Sequence, residues 1–270
     1  MSVIEPWNVA VKHTLEKEAD SILIHPIGDV HYGAMSHMSD TWQKFVDKII
    51  KEKSYLIILG DMINNNLISS VGSPYDDVCS PRWQKENMSQ MLRPIADRIL
   101  FVANGNHENR SKKTADSQPL YDICCRLGIE DRYRDDGGIL WLKFGESQHS
   151  NLNPVYSFLC FHGSGGGTLT GGGVNRFENF AYNFDGIDGA VGGHIHKAFQ
   201  TAPAKIVLNR QNGTIKKQPF FVCSCASWLD YVGYPVQKLM RPSTNADMLT
   251  KTIRLYTREK KVELTDVIQF

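Results

Sequence analysis

Several features of common protein classes are missing from this 270-residue chain. No apolar stretch reaches the roughly 18 residues that a membrane-spanning helix needs. Residues 1–20 also lack the basic start and apolar centre of a secretory signal. The formal net charge of +1 excludes the broad basic surface that usually accompanies strong non-specific binding of nucleic acid. We therefore expect a cytoplasmic protein without membrane association, which attracts any polyanionic substrate through a local site.

The six cysteines contain no zinc-type Cys-x-x-Cys pair. Two are adjacent, two are separated by one residue and two are isolated: Cys124 and Cys125, Cys223 and Cys225, Cys79 and Cys160. This pattern favours reduced thiols in a reducing compartment. The chain also lacks a Gly-x-Ser-x-Gly sequence, which argues against a serine hydrolase of the nucleophile-elbow type.

What the chain does contain is a recurring pattern in which five apolar runs end abruptly at His, Asp or Asn. The runs cover residues 22–27, 55–59, 99–103, 155–161 and 190–191, and the polar residues follow at 29–31, 61, 104–108, 162 and 194–196. Short, nearly continuous apolar runs are typical of strands buried on both faces. In open α/β sheets, ligands collect at the carboxyl ends of such strands. One shared site is the economical interpretation, and it predicts a single domain over residues 1–270.

The periodicity between these runs predicts helices in the first half of the chain and mostly strands in the second. Helical stripes cover residues 42–50, 88–95 and 118–127, with Asp40 as a possible cap and Gly128 as an end signal. Strands are predicted at 139–144 and 155–161, in a hairpin of 206–208 with 219–225 around Asn212-Gly213, and at 252–257 with 261–267. Residues 64–80, 164–173 and 228–243 are predicted to be loops. The fold class is therefore α/β, a two-sheet sandwich with helices outside.

Taken one at a time, the polar residues at the run ends are weak evidence for a metal site. Asp and Asn at a strand end are often helix caps or turn formers, and an isolated His is usually structural. Five of the nine histidines fall at such ends, however, and two of them are spaced as His194-x-His196. Together the five ends supply enough nitrogen and oxygen ligands for two metal ions. Imidazole and carboxylate ligands favour Mn²⁺, Fe²⁺, Zn²⁺, Co²⁺ or Ni²⁺ over Ca²⁺ or Mg²⁺.

The order of the motifs closely resembles the signature of the calcineurin-like metallophosphoesterase superfamily. The motifs are Gly-Asp-Val-His at 28–31, Gly-Asp at 60–61, Gly-Asn-His-Glu at 105–108, His-Gly at 162–163 and Gly-His-Ile-His at 193–196. The resemblance covers residues 28–196. It implies a four-layer α/β/β/α sandwich of two mixed sheets flanked by helices, and two divalent metal ions, with Mn²⁺ foremost.

The resemblance also implies a role for each residue of the site. Asp29, His31 and His196 would hold one ion, Asn106, His162 and His194 the other, and Asp61 would bridge both. His107 would be the general acid, oriented by Asp29 or Glu108. Two divalent ions about 3.5–4 Å apart can share one hydroxide and clamp the phosphoryl oxygens while the hydroxide attacks. Two carboxylates and one hydroxide against two divalent ions leave a charge of about +1, which attracts phosphate.

The residues around these motifs narrow the kind of phosphate ester. After Asp61 the chain reads Met-Ile-Asn-Asn-Asn, whereas protein serine/threonine phosphatases of the superfamily have Asp-Arg-Gly, whose arginine grips the phosphate. Asp-x-His followed by Gly33, together with Gly-Asn-His-Glu, is similar to the DNA-repair exonuclease branch and to compact bacterial and phage phosphodiesterases. The repair nucleases carry a further capping region, whereas the residues beyond 196 here suffice to finish the sandwich. A phosphodiesterase or nuclease acting on nucleotides or short nucleic acid is the leading hypothesis.

Candidate substrate contacts are Asn106, Glu108 and Arg110, and the basic turn that includes Lys112 and Lys113 could hold a second phosphate or be solvated. The aromatic group Trp228, Tyr231 and Tyr234 could stack a base, form an oligomer contact or belong to the core. Two other functions stay open at this point: a phosphomonoesterase acting on nucleotides or proteins, and a non-catalytic metal-binding scaffold. The sequence does not identify protein partners.

Overall fold

The computed structural model describes residues 10–17, 19–145, 153–165, 169–237, 239 and 241–268. Within these ranges the helices are α1 (Ser39–Glu52), α2 (Pro81–Leu92), α3 (Glu108–Ala115), α4 (Pro119–Leu127), α5 (Thr170–Ala181) and α6 (Tyr234–Gln237). The strands are β1 (Val11–Leu15), β2 (Ser21–Ile27), β3 (Tyr55–Leu59), β4 (Ile99–Ala103), β5 (Tyr133–Arg134), β6 (Gly138–Phe144), β7 (Val155–Cys160), β8 (Gly189–Gly192), β9 (Phe199–Thr201), β10 (Ala204–Leu208), β11 (Ile215–Pro219), β12 (Phe221–Ser224), β13 (Leu249–Tyr256) and β14 (Val262–Ile268).

Two six-stranded mixed sheets and one hairpin organise these strands. The first sheet has the order β14-β13-β2-β3-β4-β5, in which β2 to β5 are parallel and β13 is antiparallel to both of its neighbours. The second sheet has the order β1-β6-β7-β8-β12-β9, with β7, β8 and β12 parallel. The polar ends of β2, β3 and β4 therefore lie along one edge of the first sheet, and those of β7 and β8 along one edge of the second.

The apolar runs fill three core layers because the central strands are buried on both faces. In β3, Ile57 and Leu59 pack against the second sheet, whereas Leu56 and Ile58 pack against the outer helices. The second sheet likewise buries its outer face against α5, where Phe177 is 1% exposed. The resulting order is helices, sheet, sheet and helix, so the α/β/β/α sandwich predicted from the sequence is confirmed.

The helical stripes of the first half are confirmed as α1, α2 and α4, with two corrections at their ends. Asp40 does not cap α1: the helix begins after Met38, and Asp40 lies in its first turn, where its charge favours the helix dipole. α2 stops at Leu92 because Pro94 cannot continue it, and a 3₁₀ segment follows. α4 ends at Gly128, whose φ of 69° is the left-handed cap that the sequence predicts.

The strand pairing around Asn212-Gly213 differs from the prediction. β10 pairs with β11 over residues 204–208 and 215–219, so the second arm of the hairpin begins earlier than expected. Residues 221–224 instead form β12, which joins β8 in the second sheet. The turn at Asn212-Gly213 was predicted correctly. The single apolar run from 219 to 225 gave no sign that the chain passes from the hairpin to the second sheet at Phe220. The predicted strands at 139–144, 155–161 and 261–267 are confirmed within one residue, and the strand predicted at 252–257 begins three residues earlier, at Leu249.

The glycine-rich run at 164–173 is not entirely a loop. α5 begins at Thr170 and includes three of the glycines, although residues 166–168 lie outside the described ranges. A side chain at Gly173 would meet Ile195 Cδ1 at 2.5 Å, so glycine lets α5 approach the segment between His194 and His196. Across the part of the chain that the structure describes, no helix combines the length and apolar character needed to cross a membrane.

Candidate metal centre

The seven residues expected to bind metal converge where the carboxyl ends of the two sheets meet. The strands β2, β3, β4, β7 and β8 each deliver at least one of them: Asp29, His31, Asp61, Asn106, His162, His194 and His196. Main-chain hydrogen bonds continue past the strand ends, since Asp29 N–H donates to the Gly60 carbonyl at 3.1 Å and His31 N–H to that of Asp61 at 2.9 Å. These bonds lock the turns after β2 and β3 together.

The backbone at these turns is strained. Five of the seven residues have positive φ values of 48–68°: Asp29, His31, Asp61, His194 and His196. A non-glycine residue in this left-handed region costs about 1–3 kcal/mol and persists where the surrounding structure holds it. The ligand atoms of all five side chains lie in the clusters described below. The same conformation at Lys53 and Asp116 ends a helix and is ordinary.

One group of ligand atoms comes from Asp29, His31 and His196. The Nε2 atoms of the two histidines are 3.3 Å apart, and His196 Nε2 is 3.3 Å from Asp29 Oδ1. The second oxygen of this carboxylate, Oδ2, accepts the backbone N–H of His194 at 2.7 Å. Asp29 therefore uses one oxygen to fix the backbone of the His-x-His segment and presents the other to the two imidazoles.

A second group comes from Asp61, Asn106, His162 and His194. His162 Nε2 lies 3.3 Å from Asp61 Oδ2 and 2.8 Å from Asn106 Oδ1. His194 Nδ1 lies 2.7 Å from the same amide oxygen and 3.1 Å from His162 Nε2. Asp61 Oδ2 is also 3.8 Å from His31 Nε2, so this one oxygen faces both groups. Its other oxygen accepts the backbone N–H of His107 at 2.8 Å.

The 3.1–3.3 Å spacings among the histidine nitrogens and carboxylate oxygens fit the coordination shells of divalent ions, whereas Asn106 Oδ1 lies at hydrogen-bond distance from both of its histidines. With metal–ligand bonds of about 2.1 Å, two ligands of one ion are about 3.0–3.4 Å apart at angles between 90° and 109°. Imidazole nitrogens that face one another at 3.1–3.3 Å need a cation or a proton between them. His162 is prepared for this because its Nδ1 donates to the Leu59 carbonyl at 2.6 Å, which leaves Nε2 to bind a metal.

The electrostatics of the cluster also favour a bound cation. Burial raises the pKa of Asp61, but His162 and His107 together hold it well below its usual range. Burial lowers the pKa of His162, but Asp61 outweighs that effect and raises it to about 10. Burial raises the pKa of Asp29, but His196 outweighs that effect and lowers it. Asp29 and Asp61 thus retain their charge and require a proton or a metal ion as counter-charge. A metal ion held by His162 would displace that proton, so its affinity would fall in acid.

Glycines allow the turns to approach one another closely. A side chain at Gly105 would come within 2.2 Å of both the backbone nitrogen and Oδ1 of Asp61. Gly60 has a φ of 84°, and a side chain there would lie 2.5 Å from Gly105 Cα. The glycine before the ligand in each of these two motifs is therefore a packing requirement of the site.

Glu108 does not occupy the substrate-facing position expected for it. The residue is fully buried, and its Oε2 accepts the backbone N–H of Asp61 at 3.0 Å. Oε1 accepts those of Met62 and Ile63 at 2.8 and 3.2 Å. Burial and the nearby Asp61 raise its pKa to about 7. Both oxygens are engaged by backbone, so Glu108 positions the turn that carries Asp61 and has no free atom for a substrate.

His107 lies beside the cluster, with a side chain oriented by groups other than those expected. Its Nδ1 is 2.6 Å from the Asn64 carbonyl, which can only accept, so Nδ1 carries the proton. Its Nε2 accepts a hydrogen bond from Arg110 Nη2 at 2.8 Å and is 3.9 Å from Asp61 Oδ2. The orienting group is therefore the Asn64 carbonyl, and neither Asp29 nor Glu108 takes that part. Burial, partly offset by Asp61, lowers the pKa of His107.

The remaining sequence candidates divide between the site and the rest of the molecule. Arg110 contacts His107, whereas Lys112 pairs with Asp135. Trp228 is 2% exposed and packs against Trp42 and Phe45, so its place is the core. The side chain of Tyr234 lies outside the described residues. The contacts of the buried Asn64–Asn66 segment with the site were not predicted from the sequence. The segment was noted there only because it lacks the arginine of the phosphatase motif.

The facing strand ends of the two mixed sheets thus collect Asp, Asn and His side chains that could hold metal ions. The model of the calcineurin-like phosphoesterase family matches residues 23–198. The chain therefore belongs to this family and is a metal-dependent phosphoesterase, for which divalent ions are the cofactor and a phosphate ester is the substrate. No curated protein matches the chain.

Two solved structures are similar to this chain at low sequence identity. YfcE, a phosphoesterase from E. coli, is 12% identical with a TM-score of 0.41, and the similarity covers 92% of this chain and 99% of that one. GAP50, the anchor in the inner membrane complex of Plasmodium, is 8% identical with a TM-score of 0.47, covering 93% of this chain and 85% of that one.

Proposed function

We propose that this enzyme uses two divalent transition-metal ions, Mn²⁺ foremost, to hydrolyse phosphodiesters of nucleotides or short nucleic acid. The observation that carries the two-ion proposal is the position of Asp61 Oδ2, which faces His31 Nε2 on one side and His162 Nε2 on the other. We assign the ligands as the sequence suggested: Asp29, His31 and His196 to one ion, Asn106, His162 and His194 to the other, and Asp61 to both.

The ions, when bound, supply an activated water and positive charge for the phosphoryl oxygens. The chain's own residues then handle the leaving group. Charged phosphate oxygens accept hydrogen bonds from a guanidinium more strongly than a neutral imidazole does. Arg110 therefore turns its Nη2 donor from His107 to the substrate. His107 Nε2, released from Arg110, then takes a proton from solvent and passes it to the departing oxygen.

The resemblance of Gly-Asp-Val-His with Gly33 and of Gly-Asn-His-Glu to compact phosphodiesterases supports a diester as substrate. The site charge of about +1, from two divalent ions, two carboxylates and one hydroxide, attracts a monoester as well as a diester. The turn after Asp61 carries Asn64, Asn65 and Asn66 where protein serine/threonine phosphatases of the superfamily have Asp-Arg-Gly, which counts against a phosphoprotein substrate.

Initial rates on bis-p-nitrophenyl phosphate and p-nitrophenyl phosphate test the proposal. Purified protein is loaded with Mn²⁺, and Asp61→Asn serves as the blank because it keeps the shape of the side chain. Asp97→Asn, a change at an exposed carboxylate, is the matched control. We expect faster hydrolysis of the diester, lost in Asp61→Asn and kept in Asp97→Asn.

The other outcomes identify the alternatives. Faster hydrolysis of the monoester would replace the diesterase by a phosphomonoesterase. Stoichiometric metal binding without turnover of either ester, or of cyclic nucleotides and oligonucleotides, would revive the non-catalytic scaffold. Equal rates in the wild type and Asp61→Asn would show that the activity does not come from this site.

Three further sequence predictions are part of this proposal. We propose one domain over residues 1–270, because β1 and β14, near the two ends of the chain, each join one of the two sheets. We propose Mn²⁺ on the chemistry of the mixed imidazole and carboxylate ligands. A cytoplasmic location is proposed from the cysteine pattern of the sequence.

A further inference from the structure

The segment after Asp61 folds around the guanidinium of Arg110. We infer that Asp77 is a positioning residue that holds Arg110 ready for a substrate phosphate, acting through the amide side chain of Asn66. The inference rests on the proposed function, because it assigns to Arg110 the phosphate contact described above. A chain without the Asp-Arg-Gly motif would in this way fix an arginine at its metal centre.

Arg110 is held by two oxygen acceptors on the side away from its Nη2 donor. Its Nη1 donates to the Asn64 carbonyl at 3.1 Å and to Asn66 Oδ1 at 2.7 Å. Its Nη2 lies 2.8 Å from His107 Nε2, on the side of the metal cluster. Arg110 comes from α3, whereas both of its oxygen acceptors come from the turn after β3. The guanidinium is thus fixed from one side and directed toward the site on the other.

Asp77 determines which way the Asn66 amide points. Asp77 Oδ1 accepts hydrogen bonds from Asn64 Nδ2 at 2.7 Å and from Asn66 Nδ2 at 2.8 Å. An ionised carboxylate can only accept, so the amide nitrogen of Asn66 must face Asp77. The amide oxygen then has to face Arg110, which can only donate. Asp77, Asn66 and Arg110 thus form a relay of hydrogen bonds, and the Asp77 carboxylate determines the direction of each bond in it.

The carboxylate that sets this polarity is itself well anchored. Asp77 Oδ2 accepts Gln84 Nε2 at 2.8 Å, and the Gln84 amide is fixed in turn by the Cys79 carbonyl and the backbone N–H of Asn65, each at 2.8 Å. Gln84 and Asn65 are fully buried. A β-bridge joins Asp77 to Ala34, three residues after His31.

The indirect arrangement suits phosphate binding better than a salt bridge would. A carboxylate in direct contact with Arg110 would cancel its charge and compete with the phosphate for the same donors. The amide of Asn66 orients the guanidinium but leaves its positive charge available. Because Asn66 orients Arg110 without neutralising it, its contact positions Arg110 for a ligand and does more than stabilise the loop.

A double-mutant cycle tests the inference. Asp77→Asn keeps the shape but introduces an amide nitrogen, which can reverse the Asn66 amide and oppose two donors at Arg110. Binding of inorganic phosphate to the Mn²⁺-loaded protein is measured by calorimetry for the wild type, Asp77→Asn, Arg110→Ala and the double mutant. Asp76→Asn, at the exposed neighbouring position, is the matched control. Metal content and the urea midpoint are recorded for every variant.

We expect Asp77→Asn to weaken phosphate binding about tenfold with unchanged metal content. In the Arg110→Ala background the same substitution has no further effect, because the residue through which it acts is gone. With bis-p-nitrophenyl phosphate, the corresponding change is a raised KM. If Asp77→Asn does not fold, Asn66→Ala interrupts the same relay one residue closer to Arg110.

Additive losses in the cycle would overturn the inference, as would an Arg110→Ala variant that binds phosphate like the wild type. Failure of the proposed function is a different result. A wild type that binds phosphate but turns over no ester would refute the hydrolysis proposal, and the binding cycle would still decide whether Asp77 acts through Arg110.

Discussion

Replacing Glu108 by Gln tests how the turn that carries Asp61 is held in place. The glutamate accepts three backbone N–H groups, one through Oε2 and two through Oε1. Glutamine has one oxygen, so at least the Asp61 N–H loses its acceptor and meets an amide nitrogen. An unsatisfied buried donor costs about 1–3 kcal/mol.

A second effect opposes this loss of stability. Burial and Asp61 raise the pKa of Glu108 to about 7 from an ordinary 4.5, and 2.5 pKa units correspond to roughly 3 kcal/mol at 1.36 kcal/mol per unit. A neutral glutamine does not carry this cost of ionisation. The two effects oppose each other, about 1–3 against about 3 kcal/mol, so we expect the free energy of unfolding of the metal-free protein to change by no more than about 2 kcal/mol.

Metal affinity should respond quite differently. Asp61 sits at a φ of 51°, a conformation that needs support, and its Oδ2 lies 3.8 Å from His31 Nε2 and 3.3 Å from His162 Nε2. Loss of an outer hydrogen bond of this kind typically weakens metal binding about 10–100-fold. Mn²⁺ titration and urea unfolding of Glu108→Gln measure the two effects, with exposed Glu16→Gln as the control. Wild-type Mn²⁺ affinity in Glu108→Gln would refute this account of the turn.

Three other perturbations address separate features. Asn106→Asp lowers the site charge from about +1 to about 0, so inorganic phosphate should inhibit a metal-replete mutant less; unchanged inhibition would contradict the charge argument. Gly105→Ala should abolish metal binding, because its Cβ would lie 2.2 Å from Asp61 N, whereas Gly171→Ala, with open space around it, should bind normally. Burial, aided by Lys48, lowers the pKa of His25 to about 4. The unfolded chain therefore binds more protons between pH 6.5 and 4, and stability present above pH 6.5 is lost by about 3 kcal/mol as the pH falls. His25→Gln should flatten this part of the urea midpoint profile, and an unaltered profile would refute the assignment to His25.

The sequence was sufficient to predict the layers of the fold and the place of the site. Runs such as 55–59 are apolar at every position because alternate residues pack against different layers, so an uninterrupted run indicates a strand between two layers. The polar residue after each run could then be placed at a common edge. Short strands such as β5 and β9 were not predicted, because two or three residues are too few to show a periodic pattern. The change at Phe220 from the hairpin strand β11 to β12 of the second sheet was not predicted for the opposite reason, because one apolar run continues across it.

The supports of the site could not be predicted in the same way, because they depend on contacts between distant turns. Glu108 follows His107 and looks like a substrate contact, yet the first turn of α3 directs it inward to three backbone N–H groups some 45 residues earlier in the chain. The left-handed backbone at Asp61 leaves no mark on the sequence, since Asp is also common in ordinary turns. The motif glycines are the one local trace of this arrangement: Gly60 and Gly105 are required because the turns after β3 and β4 touch. A glycine directly before a polar strand end is therefore better evidence for a shared site than the polar residue alone, because it records how closely the neighbouring turn approaches.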